Sequence, residues 1–370
     1  MFLYKNRCKG TKKKYFSLPL QPKFDKSIEK EHVKLNFQKR IVSSRATLPI
    51  VGGCALGLWY SMPVEHTSPL FSTSDYGFWH YLPAAVQQGD WALAVGLGFT
   101  ALAVYMMVEL NNANVLLRTS SRMLGSMLAF LSAWIGLAHT LQPGHVLMFA
   151  TLLSFFPLFA SYQQPQPALS FLVHLILSSA SFVFPKFLWM VLIYWQIQAF
   201  FRAFSLRCLV ASLLAILLPY WFYGGIAIMT GMLPAFWEHL RQVVDFHWAD
   251  YSQLNIRHLL VFAFLFLLFL TGIINFALRQ YLDSTRIRIL FNALIFHGLM
   301  VVLFICLQPH YFVVLSLLLL VDTSILFGHF FALTHTRFSH IYCLILSVLA
   351  LLVLAAQYMW HLLPLPNVLN

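Results

Sequence analysis

The chain has 370 residues, of which 60% are hydrophobic, 16% aromatic and only 10% charged, and its mean hydropathy is +0.74. A soluble globular domain carries about 25% charged residues, so this composition excludes a water-soluble fold and indicates an integral membrane protein. The formal net charge of +12 comes mostly from residues 1–45, which hold thirteen Lys or Arg and three Asp or Glu, whereas the other 325 residues hold eleven and nine. Because the remainder carries no basic stripe, the sequence argues against nucleic-acid binding.

The motifs of common enzyme classes are missing from this sequence. The chain holds no Walker loop, no GxSxG elbow and no Gly-rich dinucleotide turn. The five cysteines lack CxxC spacing and supply no pair in either predicted outer loop, so they predict neither a metal site nor a disulfide. We therefore expect no cofactor and no metal. The cysteines are Cys8, Cys54, Cys208, Cys306 and Cys343.

Residues 1–45 form the first predicted element, a basic cytoplasmic tail without sustained apolar periodicity. Such a tail orients the first crossing and is attracted to anionic lipid headgroups; a partner-binding arm is the alternative interpretation. Residues 46–370 form the predicted transmembrane domain, whose partner is the lipid bilayer. The sequence identifies no protein partner.

The rest of the chain predicts an all-α fold, a polytopic transmembrane helix bundle with about eleven crossings. Apolar segments able to cross about 30 Å of hydrocarbon recur along it, and prolines separate several of them. The segments 46–62 and 187–201 are short and would suit half-helices as well as full spans. The predicted crossings are 46–62, 91–110, 123–141, 145–162, 168–184, 187–201, 208–228, 258–278, 289–307, 311–333 and 341–361.

Positive charge predicts the orientation, because cytoplasmic loops retain Lys and Arg. With the N-terminus inside, 21 of the 24 Lys and Arg lie on the cytoplasmic side, and only Lys186, Arg241 and Arg257 lie outside. The C-terminus is then outside as well. Two sizeable loops, about 63–90 and 230–257, face outward in this arrangement, and they hold six of the nine acidic residues that follow the tail.

The first outer loop is acidic and aromatic. It contains Glu65, Asp75 and Asp90 together with His66 and His80, and it has no Lys or Arg. Four aromatic residues fall within residues 76–81. We therefore expect this loop to lie on the membrane surface with its rings at headgroup depth.

The second outer loop predicts an amphipathic helix. Apolar residues recur at helical spacing from Leu233 to Trp248, and Glu238, Arg241 and Asp245 occupy much of the other side. This pattern is typical of a helix that lies in the membrane interface.

The two loops could act on a lipid-anchored substrate whose polar head lies just outside the bilayer. Glu65 and Asp75 are the candidate catalytic residues, since a carboxylate within hydrogen-bond reach can accept a proton from an attacking sugar hydroxyl. The simpler interpretation is that acidic residues avoid hydrocarbon and therefore collect in outer loops.

The same hypothesis requires groups that bind the substrate. Arg241, Arg257 or Lys186 could hold a phosphate or pyrophosphate leaving group. His80, Arg241 and Asp245 are the candidate substrate-binding residues. The predicted substrate is a lipid-linked saccharide.

Asp322 is an ionisable residue in the middle of an apolar segment. It lies about 16 Å from the inner end of its predicted helix, and His297 lies about 12 Å from the same side in the preceding helix, at 1.5 Å per residue. A carboxylate in hydrocarbon is costly when unpaired, so the two side chains are expected to meet. The pair could serve as a proton relay or ion site, or it could lock the bundle together with the neighbouring Thr323 and Ser324.

The stretch from Pro143 to Gly225 resembles a known family, and residues 109–135 resemble it more weakly. Residues 171–224 read FLVHLILSSASFVFPKFLWMVLIYWQIQAFFRAFSLRCLVASLLAILLPYWFYG, and residues 109–135 read ELNNANVLLRTSSRMLGSMLAFLSAWI. The Phe-Pro turn, the RxFSxR turn at residues 202–207 and the helix ending in Leu-Pro-Tyr resemble an uncharacterised bacterial family of polytopic inner-membrane proteins. The resemblance implies topology and a bacterial inner-membrane location, and it transfers no catalytic residue.

The general pattern is also similar to envelope glycan polymerases and lipid-linked-sugar glycosyltransferases. Those enzymes carry an acidic first outer loop, but this chain lacks their firm Asp-Glu signature there. The leading hypothesis is transfer or polymerisation of a lipid-linked saccharide at the outer face. The alternatives are a proton-coupled transporter or flippase that uses Asp322 and His297, and a non-enzymatic subunit of an envelope assembly complex.

Overall fold

The structure is a computed structural model that describes residues 44, 46–61, 77–82, 89–117, 121–135, 139–246, 249, 251, 254, 256–334 and 337–362. This part of the chain is all-helical and contains twelve α-helices and no strand. They are α1 (Thr47–Ser61), α2 (Gly89–Asn114), α3 (Met123–Trp134), α4 (Pro143–Ala160), α5 (Pro167–Ala180), α6 (Met190–Phe200), α7 (Leu206–Thr230), α8 (Leu233–Val244), α9 (Ile256–Arg279), α10 (Thr285–Leu307), α11 (Phe312–Leu333) and α12 (Arg337–Leu362).

The helices match the predicted segments one for one. Each of the eleven predicted crossings contains a helix, and α8 is the predicted amphipathic helix. Among the described helices, α2, α4, α7, α9, α10, α11 and α12 are long and apolar enough to cross a membrane. The protein is therefore a multi-pass membrane protein by the length and composition of its helices. The count of eleven crossings and the cytoplasmic N-terminus remain predictions.

Four helices are too short to span a bilayer as straight rods. The helices α1, α3, α5 and α6 have 15, 12, 14 and 11 residues, against about 20 for a full crossing. The difference from prediction is largest for α3, which ends at Trp134 although the sequence stays apolar to residue 141. The chain leaves the helix at Ile135, whose ψ of 92° is extended.

The described residues that follow α3, Ile135 and residues 139–142, are not helical and are largely buried. His139 Nε2 lies 2.8 Å from the Ala133 carbonyl oxygen, and the Leu141 amide donates to the Ala92 carbonyl at 3.0 Å. Irregular backbone is tolerated at membrane depth only where the protein itself satisfies its polar groups. Apolar composition alone does not distinguish such a stretch from helix, which explains the overextended prediction.

Side-chain contacts fix the relative directions of the helices. The Trp59 ring near the end of α1 stacks on His139, just after α3, at 4.4 Å. Trp134 at the end of α3 donates from Nε1 to the Ala350 carbonyl, midway along α12, at 3.0 Å. A Cβ built on Gly328, near the end of α11, would lie 2.6 Å from Leu124 at the start of α3, and α12 begins four residues after α11 ends. The helices α1, α3 and α12 therefore run in parallel. We call the end of the bundle where these three helices begin the tail side, and the opposite end, where α8 lies, the α8 side.

The helix α11 forms the centre of the bundle. Every residue of α11 except Phe331 and Leu333 is buried, and α11 packs against α3, α4, α9 and α10. Small residues allow this close approach: a Cβ built on Gly272 of α9 would lie 2.6 Å from Leu326 Cβ, and one built on Gly298 of α10 would lie 3.2 Å from Asp322 Cβ. Small residues at the contacts between helices are typical of membrane bundles.

Candidate functional site

The central feature of the bundle is a pair of ionisable side chains. His297 Nδ1 lies 2.8 Å from Asp322 Oδ2, with both side chains at most 1% exposed. Asp322 lies about 15 Å from either end of α11 at 1.5 Å per residue, so the pair is at mid-depth. Two further polar atoms, Asp322 Oδ1 and His297 Nε2, have no hydrogen-bond partner among the described residues. The pair thus has both a direct contact and spare hydrogen-bonding capacity.

Aromatic rings and hydroxyl groups surround this pair. The rings of Phe155 and Tyr194 meet the His297 ring edge-on, with centroids 5.4 and 5.8 Å away. The Tyr194 hydroxyl lies 2.6 Å from Ser154 Oγ. Residues from α4, α6, α10 and α11 therefore converge at one buried point.

The electrostatics of the pair favour one proton shared between two groups. With a single proton, the pair is neutral overall, either as carboxylate and imidazolium or as carboxylic acid and imidazole. Adding or removing a proton leaves a net charge in a low-dielectric interior, which costs several kcal/mol unless another charge or water compensates. The pair can therefore change its proton count readily only when something else enters.

A second pair lies on the tail side of the first. His329 Nε2 of α11 is 3.6 Å from Asp283 Oδ2, which belongs to the turn before α10, and both side chains are buried. The His329 ring packs on Phe291 with the centroids 4.5 Å apart. This distance fits an ion pair when the histidine is protonated, and it exceeds that of a direct hydrogen bond.

A third polar contact lies on the α8 side. Lys186 Nζ donates to the Tyr311 hydroxyl at 2.7 Å, and Lys186 is 2% exposed. Tyr311 belongs to a 3₁₀ turn, Pro309–Tyr311, that leads directly into α11. Lys186 belongs to another 3₁₀ turn, Pro185–Trp189, immediately before α6.

These three contacts share one stripe of α11. Tyr311, Asp322 and His329 are separated by 11 and 7 residues, which correspond to about 16 and 10 Å along a helix and to angular offsets of only about 20°. Each receives its partner from a different place in the chain. The result is a row of buried titratable groups, which we call the α11 row: Tyr311–Lys186, Asp322–His297 and His329–Asp283.

The structure describes only part of the predicted outer-face site. Glu65 and Asp75 lie outside the described residues, and His80 lies in the 3₁₀ turn Gly77–Tyr81 with its side chain outside the described part. Arg241 and Asp245 are exposed on α8 and at its C-terminal cap. The backbone amide of Asp245 donates to the Arg241 carbonyl at 3.0 Å, and both side chains face outward from the bundle.

The cations proposed as phosphate ligands differ sharply in exposure. Arg241 is exposed, whereas Lys186 and Arg257 are only 2% and 7% exposed. The contact of Lys186 with Tyr311 places its ammonium group inside the bundle. Of the three, Arg241 is the cation placed to meet a headgroup at the surface.

The amphipathic helix α8 has three faces. Phe236, His239, Leu240 and Val243 face the bundle and are buried or half-buried. Next to them Leu233, Trp237 and Val244 form an exposed apolar stripe, at 40%, 61% and 68% exposure. The third stripe is polar and exposed, and consists of Glu238, Arg241 and Asp245. This order suits a helix lying in the interface, with one side on protein, one on lipid and one on water.

Described parts of the two predicted outer loops touch at His239. The Phe78 amide donates to the Phe182 carbonyl at 2.8 Å. Gly77 has a φ of +44°, and a Cβ there would collide with the Phe182 carbonyl oxygen and lie 3.2 Å from the His239 ring. His239 is surrounded by four aromatic rings at centroid distances of 5.6 to 5.9 Å, those of Phe78, Phe182, Tyr220 and Tyr223. Burial in this aromatic pocket lowers the pKa of His239 from 6.5 to about 4.

Several of these residues were not anticipated from the sequence. The roles of Tyr194, Lys186, Asp283 and His239 depend on which helices are neighbours, and hydropathy does not report that. One signal was available: Tyr311, Asp322 and His329 recur at the 11- and 7-residue spacing of a helical stripe.

Among the residues that the structure describes, no three His, Cys, Asp or Glu side chains form a group that could hold a metal ion. Comparison with protein-family models, curated proteins and solved structures finds no match for this chain. A functional argument therefore rests on the geometry of the molecule itself.

Proposed function

We propose that this protein is a proton-coupled transporter or flippase, in which the Asp322–His297 pair binds the coupling proton. The observation that carries the proposal is the position of this pair: a carboxylate and an imidazole in contact at mid-depth of the most buried helix. Ionisable residues inside a membrane bundle commonly mark ion or substrate pathways. The resemblance noted in the sequence supports a bacterial inner membrane as its location.

The chemistry of the pair supplies a coupling mechanism. Loss of its shared proton leaves one buried negative charge, which favours entry of a cation, of water or of a cationic part of a substrate. Gain of a second proton leaves one positive charge with the opposite preference. Binding of the coupled species and binding of the proton therefore change each other's affinity by the same factor.

The α11 row supports the same proposal. Its three contacts lie at both ends and in the middle of α11, separated by about 10 and 16 Å. Those gaps are too long for direct proton transfer between the side chains. Transfer along the row therefore requires water or a movement of α11 relative to its neighbours, which is the kind of rearrangement that alternating access involves.

If the pair has only a structural role, replacing it changes the stability of the protein and leaves proton flux unchanged. Replacing a buried ion pair with apolar groups is often neutral or stabilising. The proposal is tested by infrared difference spectra, recorded at one pH with and without the members of a screened panel of solutes and lipids, on purified protein in liposomes. Asp322→Asn should remove a protonated-carboxyl band that wild type shows, and it should abolish proton uptake driven by a screened panel of solutes and lipids. Thr323→Val, which alters the adjacent buried residue, is the matched control and should keep both signals.

The outcome is decisive in either direction. If Asp322→Asn keeps the wild-type band and the wild-type solute-dependent proton flux, the pair does not couple transport. If it lowers thermal stability without changing any flux, the pair is a structural lock, and a non-enzymatic role in an envelope assembly becomes the better hypothesis.

The second candidate function is transfer or polymerisation of a lipid-linked saccharide at the α8 side. Contact between Phe78 of the first outer loop and His239 of the second favours it, because a shared site requires the loops to meet. Exposed Arg241 lies beside the lipid-facing stripe of α8, where it could hold a phosphate. In this proposal Glu65 or Asp75 is the general base, and His80 and Asp245 contribute to binding.

Glu65→Gln and Asp75→Asn test this second function. At least one should abolish incorporation of labelled sugar into polymer by membranes that contain the protein, at unchanged protein abundance. Asp90→Asn, which removes an exposed carboxylate at the start of α2, is the control and should retain activity. Unimpaired incorporation in both test variants would exclude these carboxylates as catalytic bases.

A further inference from the structure

A groove of about 440 Å³ runs along one side of the bundle, away from the α11 row. It lies between α1, α3, α9, α11 and α12. Its wall is almost wholly hydrocarbon, because the hydroxyls of Ser126 and Ser347 donate to carbonyls of their own helices, at Arg122 and Cys343. An apolar groove at membrane depth is solvated by lipid chains rather than by water.

The groove has the length of one leaflet. On α1 its wall extends from Thr47 to Leu58, on α3 from Met123 to Trp134, and on α12 from Cys343 to Leu354. Each interval is eleven residues, or about 16 Å, which is close to half of the roughly 30 Å hydrocarbon core. Because these helices are parallel, the groove begins at the tail side and ends near the middle of the membrane.

The lining restricts what occupies the groove. Because its wall is almost wholly hydrocarbon, an extended hydrocarbon chain lies along it without burying an unsatisfied polar group. A transmembrane helix of a partner is the other occupant that the retention experiments below distinguish.

The tail-side mouth of the groove is basic. Arg122 is exposed and directly precedes Met123, the first groove residue of α3. Arg337 is the first residue of α12, and in the sequence Arg45 stands two positions before Thr47. All three helices also direct the positive ends of their dipoles to this side. No Asp or Glu occurs within residues 32–64, 110–237 or 323–370.

We propose that this groove binds an anionic phospholipid of the tail-side leaflet, with a hydrocarbon chain along α1, α3 and α12 and its phosphate near exposed Arg122 at the start of α3. The groove supplies the chain site and the basic mouth supplies the charge complement. The site does not depend on the transport function proposed above, since it involves none of the residues of the α11 row.

Native mass spectrometry of the delipidated full-length protein tests the site. The probes are phosphatidylglycerol and phosphatidylcholine with identical chains, added in equal amounts. Wild type should retain phosphatidylglycerol preferentially. Arg122→Gln should reduce that preference by about fivefold, the effect of one basic residue near a membrane phosphate. Arg207→Gln, at the start of α7 and outside the groove, is the charge-matched control and should leave the preference unchanged.

A second pair of variants tests the chain site. Ser347→Trp places a large ring in the groove and should remove retention of both lipids. Leu344→Trp, on α12 but outside the groove wall, should retain them. If Ser347→Trp fails to purify as a monodisperse protein, Leu351→Trp at another exposed groove position replaces it. Equal retention of the two lipids by wild type, or normal retention by a groove-filled variant, would overturn the proposal.

Discussion

Asp322 and His297 depend on each other because each is fully enclosed by the bundle. Their contact satisfies one polar atom on each side and leaves Asp322 Oδ1 and His297 Nε2 without a partner among the described residues. Leaving a buried polar group unsatisfied typically costs 1–3 kcal/mol, roughly as much as a hydrogen bond to a charged group contributes. The contact therefore contributes little net stability to the folded protein, which is consistent with a functional reason for its presence.

At this scale we predict a strong coupling between the two residues. His297→Gln should lower the free energy of unfolding by about 3 kcal/mol, because the remaining carboxylate loses its buried partner. Asp322→Asn should cost less, because the asparagine amide can still form a hydrogen bond with the His297 ring. The two changes together should cost at least about 1 kcal/mol less than their sum.

Denaturant unfolding of the four proteins in detergent measures this coupling. Thr323→Val again serves as the control, and we expect it to be near neutral because it removes an unsatisfied hydroxyl. Additive effects of the two substitutions would show that the contact contributes nothing to the folded state.

The sequence alone predicts some of the contacts in the α11 row and not others. The contact of His297 with Asp322 could be anticipated because adjacent helices joined by a short turn place residues of equal depth near each other. Lys186 and Asp283 could not be assigned as partners, since they reach α11 from elsewhere in the chain. A helix buried on all sides, as α11 is, also lacks the polar face from which its rotation could be inferred.

The packing of helix α9 against helix α11 depends on a glycine. A Cβ at Gly272 would lie 2.6 Å from Leu326 Cβ and 2.9 Å from the Leu326 carbonyl carbon. Gly272→Ala should therefore force the helices apart and lower the unfolding free energy by about 1–3 kcal/mol.

The matched substitution is Gly225→Ala in α7, where a Cβ meets nothing within 4 Å. It should be neutral or stabilise the protein by up to about 1 kcal/mol, since alanine is the better helix former. Thermal unfolding of both variants in one detergent makes the comparison. Equal effects would show that the α9–α11 contact is looser than described.

The attachment of α8 to the bundle should depend on pH through His239. Its pKa is lowered from 6.5 to about 4 by burial, so the detached state binds a proton more readily than the docked state. Docking is therefore unaffected above pH 6.5, and it weakens as the pH falls towards 4 by up to about 3 kcal/mol.

Hydrogen–deuterium exchange of residues 233–244, measured at pH 4.5 and 7 and corrected for intrinsic rates, tests this expectation. Wild type should lose protection at the lower pH, and His239→Phe should lose much less. Trp237→Phe, on the exposed stripe of the same helix, should behave as wild type. A pH response that persists in His239→Phe would assign the effect to another group.

For the whole molecule, hydropathy predicts the helices and leaves their arrangement open. The eleven apolar segments and α8 were recognisable because length and periodicity report directly on membrane insertion. The end of α3 at Trp134 was not, because the residues that follow it, from Ile135 to Leu141, are still mostly apolar. The orientation of the bundle is predicted from the distribution of Lys and Arg.

Orientation can be measured with single cysteines in a cysteine-free background. Tyr281→Cys lies in the exposed turn between α9 and α10 on the tail side, and Glu238→Cys lies on the exposed polar stripe of α8. In intact cells an impermeant maleimide should label Glu238→Cys, and Tyr281→Cys should react only after permeabilisation. The reverse pattern would invert the predicted orientation, and labelling of both would contradict a crossing by α9.

The brevity of α5 and α6 has a consequence for biogenesis. With 14 and 11 residues, they extend about 21 and 16 Å, and neither alone matches the hydrophobic length that the insertion machinery accepts as an independent stop. We expect the two to be released into lipid as a hairpin only after α7 has emerged from the ribosome, because α7 supplies the packing partner that α5 needs. Assembly of this region would then be a late, concerted event rather than a helix-by-helix one.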